Sequence, residues 1–238
     1  MQLIILAAGT GSRLGGLTKK IPKSLIKIRN KSLIEFQIAQ FENHKISKII
    51  IVTGFGSKVL KRKIGKKVKY IFNKKFRTTN NMYSLWTARN FLRNEDTIIT
   101  FADLIMSKFI TKKIIESQNP INVAVDTSQI LNGTMTVKVK KNKLISIGKK
   151  KEINPDGNFI GVSKIKKKKI DLFRKTLIKI AGETKNKYYT EIFNYLIEKK
   201  IFIKAIDIKK NFWREIDTKK DLLELKKKIK SPKIYKNI

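Results

Sequence analysis

The stretch LAAGTGSRLGGLTKKIPKSL, residues 6–25, decides how the rest of this chain is read. An apolar run over residues 2–8 stops at two alanines and a glycine, and a second glycine, an arginine and a Pro-Lys pair follow. A strand that ends in a glycine-rich turn is where an α/β sheet places phosphates, because backbone N–H groups there have no strand partner and point outward. Spacing separates this turn from two common phosphate loops. The dinucleotide fingerprint needs a third small residue where Leu14 stands, and an acid at the end of the second strand, where the chain has Thr53-Gly54. A P-loop needs Gly-Lys-Ser/Thr where the chain has Leu14-Gly15-Gly16. What is left is Leu-Ala-Ala-Gly-x-Gly-x-Arg-Leu, then Leu17-Thr18, then Pro22-Lys23-x-Leu25.

Outward from this loop, short apolar strands alternate with segments of helical period. Residues 2–8 and 48–55 (KIIIVTGF) read as buried strands, residues 33–44 as a helix with Ile34, Ile38 and Phe41 on one face. A short strand is expected at 69–73, a helix at 82–92, and a strand at 97–103 (TIITFAD) that ends on an acid. This alternation predicts an α/β fold with a central mixed, mainly parallel sheet flanked by helices. After Pro120 the expected order is a strand at 121–126, a hairpin over 134–147 turning at Lys141-Asn142-Lys143, and a strand at 159–165. Helices at 170–181 and 188–199 and strands at 202–208 and 212–217 follow. The last helix opens at Thr218, whose hydroxyl with Asp221 reads as a capping box, and carries the stripe Leu222, Leu225, Ile229. No repeat and no Gly/Ser/Pro-rich linker interrupts the chain. One domain over residues 1–238 is therefore expected, with 1–120 as a nucleotide-binding half and 121–238 as an acceptor-binding half that completes the sheet.

The loop resembles the signature loop of the sugar-phosphate nucleotidyltransferases and their relatives, with about ten fixed positions over residues 6–25. The resemblance implies a Rossmann-like domain of the glycosyltransferase-A type and assigns the nucleotide to Leu6, Ala7, Ala8, Gly9 and Gly11. Physical logic agrees with it. Small side chains at Ala7, Ala8 and Gly9 let a base and ribose lie against the strand end, and Gly11 allows close backbone approach to a triphosphate. Arg13 can fork onto the β- and γ-phosphates, Lys23 can place a compact charge on the α-phosphate, and Pro22 sets the backbone before it. These two cations are the expected catalytic residues. Such enzymes need no covalent nucleophile, because the acceptor's own phosphate oxygen attacks the α-phosphorus. The chain departs from the family pattern at Gly16, where a proline is usual, and in ending the acidic strand with Ala-Asp.

The resemblance also implies that Asp103 and Asp217 share Mg²⁺. Taken alone, Asp103 reads as a turn or N-cap residue and Asp217 as the opening of the last helix; the upstream loop shifts both toward the metal. The segment Asn80-Asn81-x-Tyr83-Ser84-Leu85 reads by itself as a helix N-cap followed by core residues. Together with Glu215-Ile216-Asp217 it resembles a narrower branch, the cytidylyltransferases acting on phosphocholine and relatives acting on aminoethylphosphonate. That resemblance puts Asn81 and Ser84 beside the nucleotide and Tyr83 beside the acceptor. For the acceptor's phosphate it implies Lys149. For an ammonium end, carboxylates and aromatic faces are the fitting groups, and Asp126, Glu191, Tyr83, Tyr188, Tyr189 and Trp213 are available.

The chain has 55 Lys and Arg against 18 Asp and Glu, a net charge of +37. The lysines are scattered in short runs such as Lys61-Arg62-Lys63, Lys166 to Lys169 and Lys226 to Lys228, which reads as solvated faces rather than a nucleic-acid footprint. The absence of cysteine and a single histidine exclude thiolate and multi-histidine metal sites, so a metal must take oxygen ligands, which suits Mg²⁺. No apolar run reaches the roughly 20 residues a membrane span needs, and a cytoplasmic location is expected. The expected partners are CTP or another NTP and a small phosphorylated or phosphonate acceptor, with no specific nucleic acid; a homodimer stays open. A sugar-1-phosphate nucleotidyltransferase using UTP or dTTP is the alternative within the class. A basic nucleic-acid-binding protein without catalysis is the alternative outside it.

Overall fold

The apolar run that opens the chain forms β1 (Gln2–Ala7), whose six residues are all buried. The computed structural model describes residues 1–42, 44–131, 133–149, 154–184 and 186–238. After β1 come two short strands, β2 (Lys27–Ile28) and β3 (Lys31–Ser32), then β4 (Lys48–Thr53), β5 (Lys69–Phe72), β6 (Thr97–Phe101) and β7 (Leu104–Met106). The second half contributes β8 (Ile121–Asp126), β9 (Met135–Lys140), β10 (Lys143–Gly148), β11 (Gly157–Ile165), β12 (Lys204–Asp207) and β13 (Trp213–Glu215). The helices are α1 (Leu33–Glu42), α2 (Ser57–Ile64), α3 (Asn81–Thr87), α4 (Lys108–Glu116), α5 (Lys167–Glu183), α6 (Glu191–Glu198), α7 (Lys219–Lys228) and α8 (Pro232–Lys236).

Nine strands make one mixed sheet in the order β5-β4-β1-β6-β11-β8-β12-β10-β9. The first four pair in parallel. β11 runs antiparallel between β6 and β8, and the β9/β10 hairpin adds two antiparallel strands at the far edge. The hairpin turns through Lys141 and Asn142, both with positive φ, the geometry a two-residue hairpin needs to match strand twist. Along β1, Ile4 and Leu6 join the core under α3, α5 and α6, whereas Leu3, Ile5 and Ala7 join the core under α1, α2 and α4. A strand covered on both faces reads as an unbroken apolar run, and each such Leu or Ile contributes about 2 kcal/mol of burial.

Three helices escape the sequence reading: α2, α4 and the five-residue α8. α2 buries only Leu60 and α4 only Ile110, Thr111 and Ile114, so each has a narrow apolar stripe in a lysine-rich segment. α6 begins at Glu191 rather than at residue 188, which leaves Tyr188, Tyr189 and Thr190 in the turn before it. Among the described residues, no helix is long and apolar enough to cross a membrane.

A third cluster fastens the opening loop. Residues Ser12–Thr18 form a 3₁₀ turn whose Leu14 is fully buried with Ile26, Ile28, Leu33 and Phe36, against Leu222, Leu225 and Ile229 at the C-terminal end of the chain. The predicted capping box forms: Thr218 Oγ1 accepts from the Asp221 N–H, and the Thr218 N–H donates to Asp221 Oδ2 at 2.6 Å. α7 therefore clamps the glycine loop from outside the sheet.

Candidate active site

The site is a cleft of about 370 Å³ at the carboxyl ends of β1 and β6. Its wall begins with Leu6, Ala8, Gly9 and Gly11. Among the described residues, nothing beyond its chain neighbours lies within 4 Å of the position a Gly9 side chain would take, so the backbone there is open to a ligand. At Gly11, with φ of 67°, a Cβ would come within 2.8 Å of the Lys23 side chain, so only glycine permits both the turn and the close approach of Lys23. Thr18 closes the loop by donating from Oγ1 to the Gly11 carbonyl at 2.9 Å.

Lys23 sits at the start of a short 3₁₀ turn (Lys23–Leu25), preceded by Pro22 in the extended region. Its Nζ donates to Asp103 Oδ2 and to Asp217 Oδ1, each at 2.6 Å, and Arg13 Nη2 lies 2.9 Å from Asp217 Oδ2. Asp103 is not the last residue of β6 but stands in the turn between β6 and β7. The β7/β13 ribbon brings the two acids together, pairing Leu104 with Glu215, while the Ile216 N–H donates to the Asp103 carbonyl at 3.0 Å.

Burial alone would lower the Lys23 pKa, but the Asp103 and Asp217 carboxylates outweigh it and the ammonium is pushed up to about 12. Burial pushes the Asp217 carboxyl up, and the charges and hydrogen bonds of Lys23 and Arg13 more than reverse this, holding it below the usual carboxylate range. Glu215 behaves oppositely. Burial together with the Asp103 and Asp217 charges pushes its carboxyl up to about 8, against the pull of Lys23 and Arg13. Sequence reasoning gave Glu215 no role. The signal was present, since Glu215 and Asp217 are two apart on an extended segment and so share a side.

Asp103, Glu215 and Asp217 each offer an oxygen within 4.8 Å of the others, and Asp103 Oδ1 is buried without a hydrogen-bond partner among the described residues. Hard oxygen donors and an unfilled buried lone pair fit a divalent cation of the Mg²⁺ kind.

Asn81, Ser84 and Lys149 also line the cleft, as expected. Asn81 Oδ1 accepts the Tyr189 N–H at 2.7 Å, which leaves its amide N–H groups as the donors, and Ser84 Oγ accepts from Asn73 Nδ2 at 3.1 Å. Six of the expected residues do not line the cleft. Ala7 lies on the opposite face of β1, in the core under α1. Tyr83 stacks on Trp86 with ring centroids 5.1 Å apart. Tyr189 is fully buried against Phe101, Phe159 and Phe193, and burial raises its phenol pKa. Glu191 opens α6, with the Asn194 side-chain amide 3.4 Å from its carboxylate.

Asp126 is the clearest correction. It is fully buried and accepts from the Ser128 N–H, Ser128 Oγ, Gln129 Nε2 and Trp213 Nε1, at 2.6 to 2.9 Å. Burial pushes its carboxyl up and these hydrogen bonds bring it below the usual value, so Asp126 holds β8 to β13 rather than a ligand. The cleft instead takes in Thr134, Tyr188 and Thr190, which the sequence left without roles or gave only as one aromatic among several.

The sequence profile described as nucleotidyl transferase matches residues 2–143. CTP:phosphoglutamine cytidylyltransferase of Campylobacter jejuni is 29% identical, over 93% of this chain and 98% of that protein. Choline-phosphate cytidylyltransferase of Streptococcus pneumoniae is 41% identical over a shorter stretch, 40% of this chain and 42% of that one. Among solved structures, CTP:phosphocholine cytidylyltransferase from Streptococcus pneumoniae superposes with a TM-score of 0.78 at 25% identity, covering 96% of this chain and 98% of that one. The inositol-1-phosphate CTP transferase from T. maritima has the same fold, with a TM-score of 0.79 at 21% identity.

Proposed function

The chain belongs to the nucleotidyl transferase family, and from that premise we propose that it transfers CMP from CTP to a small phosphorylated or phosphonate acceptor. The observation that carries this reading is the charge cluster at the cleft: Lys23 between Asp103 and Asp217, with Arg13 on the outer oxygen of Asp217. The choice of CTP and of a phosphorylated acceptor draws on the cytidylyltransferase relatives.

In this reading an oxygen of the acceptor's phosphate attacks the α-phosphorus of CTP in line. A new P–O–P bond forms, the α–β bond breaks, and pyrophosphate leaves with the bonding electrons. The protein needs no nucleophile of its own and works by positioning and charge neutralisation. The open backbone at Gly9 receives the nucleoside, and the Asn81 amide N–H groups meet acceptor atoms on the base edge. Arg13 binds the outer phosphates as a fork, and Lys23 meets the charge that builds on the α-phosphate in the transition state. Asp103 and Asp217, with Glu215 beside them, would hold Mg²⁺, which supplies neutralisation of phosphate charge. Lys149 is the cation for the acceptor's phosphate. The whole chain acts as one unit, residues 1–120 serving mainly the nucleotide and 121–238 the acceptor, with Asp217 reaching back to the metal.

A pyrophosphate-release screen tests this. CTP, UTP, dTTP, ATP and GTP are crossed with phosphocholine, aminoethylphosphonate and sugar-1-phosphates in the presence of Mg²⁺. Release with CTP and a small non-sugar acceptor is expected. Release only with UTP or dTTP and a sugar-1-phosphate moves the protein to the sugar-nucleotide branch, and release with no pair overturns the reading.

A further inference from the structure

Thr190 lies at the floor of the cleft, immediately before α6, and is 1% exposed. Threonine in that position ordinarily turns its hydroxyl onto the first free N–H groups of the helix. Here it does not: its backbone is helical, its side chain caps nothing, and its buried Oγ1 has no hydrogen-bond partner among the described residues. Buried hydroxyls are paired in nearly all folded proteins, so an unpaired one lining a ligand cleft marks a group whose partner arrives with the ligand.

The neighbouring chemistry says what that ligand carries. Lys149 Nζ lies 5.5 Å from the centre of the Tyr188 ring, so this aromatic face already holds a cation. The acids that line the cleft among the described residues are Asp103, Glu215 and Asp217, and Lys23 and Arg13 already neutralise that group. A trimethylammonium end would find a cation on its aromatic face, and it has neither a proton to give Thr190 nor a lone pair to accept from it. A carboxylate, amide or hydroxyl oxygen would accept from Thr190.

We propose that the Thr190 hydroxyl selects acceptors whose end remote from the phosphate carries an oxygen, and that Lys149 against the Tyr188 ring disfavours those ending in a quaternary ammonium. This rests on the cytidylyl-transfer reading above and narrows its acceptor.

The test is steady-state pyrophosphate release from CTP with O-phosphoserine, glycerol phosphate and phosphocholine. An oxygen-ended acceptor is expected to exceed phosphocholine in kcat/KM by about tenfold, the worth of one hydrogen bond to a polar or charged group. Thr190→Val, which replaces the hydroxyl by a methyl group, should raise the KM of that acceptor about tenfold and leave the KM of CTP unmoved. Thr190→Ala should repeat the shift, and Thr190→Ser should restore the wild-type value. Preference for phosphocholine, an unchanged acceptor KM in both Thr190→Val and Thr190→Ala, or an equal rise in the KM of CTP overturns the proposal while the transferase reading stands. No CTP turnover with any acceptor overturns both.

Discussion

Lys23 and Lys164 are both buried, at opposite ends of the central sheet, and their surroundings pull them in opposite directions. Lys23 stands beyond the carboxyl end of β6 between two carboxylates, which raise its pKa to about 12. Lys164 lies on β11 opposite Ile98, near the start of β6, and its Nζ donates to the carbonyls of Ile115 at 2.6 Å and Ser117 at 3.1 Å. Asp96 is its nearest acid, at 3.8 Å, and burial outweighs that charge and lowers its pKa. Lys164 therefore caps the end of α4, where the helix dipole and the unpaired carbonyls favour a cation. Carbonyl dipoles satisfy a lysine where it sits. Paired carboxylates at an open cleft concentrate charge that an incoming phosphate and cation can rearrange. One lysine holds the fold together, and the other is the one proposed to act in the transfer.

The sharpest way to break this contrast is to remove each lysine in turn. Lys23→Ala should lower kcat by about 10³-fold, the order found when a donor to a developing phosphate or oxyanion charge is deleted, while the thermal transition persists. Retained full activity would end the catalytic reading. Asp217→Ala should lose Mg²⁺-dependent turnover to a similar degree, because it takes away a carboxylate of the cluster and the partner of both cations. Lys164→Ala should do the reverse. Calorimetry should show a loss of about 2 kcal/mol from the two unpaired carbonyls and the space left behind, with kcat unchanged at a temperature where the variant is folded.

The smallest effect is in pH. The folded pKa of Lys164 lies below that of a lysine in the unfolded chain, about 10.4, so between the two values the unfolded chain binds more protons. The stability of the wild-type protein relative to Lys164→Met should therefore rise with pH as that window is crossed toward about 10.4. Paired thermal melts across the alkaline range measure it, and a difference that falls with pH would mean that Lys164 is held by Asp96 rather than merely desolvated.

The legible parts of this protein are those where one local rule acts alone. Residues 2–7 could be read as a buried strand because β1 is covered on both faces, and the Thr218 cap because its partner is three residues away. The Gly11 turn and Pro22 could be read because backbone conformation limits which residues fit. α2, α4 and α8 were not legible, since they are only 8, 9 and 5 residues long and bury three side chains or fewer in lysine-rich segments. Asp126 misled for a related reason. A strand-terminal acid looks alike whether it faces a ligand or accepts four hydrogen bonds from its own chain.

By itself, then, the sequence determined the α/β alternation, the glycine turn that Gly9 and Gly11 make with Arg13 and Lys23 around it, and the kinds of atom available to a metal. Those follow from spacing over a few residues and from the composition. Only the tertiary structure decided that Lys23 lies between Asp103 and Asp217, that Glu215 joins them, and that Thr190 rather than Asp126 or Tyr189 faces the cleft. These are meetings between residues up to 194 positions apart, made by the β7/β13 ribbon and by the turn before α6. Side-chain chemistry is local, but which side chains share a cleft is settled by how the sheet and its covering helices bury their apolar faces.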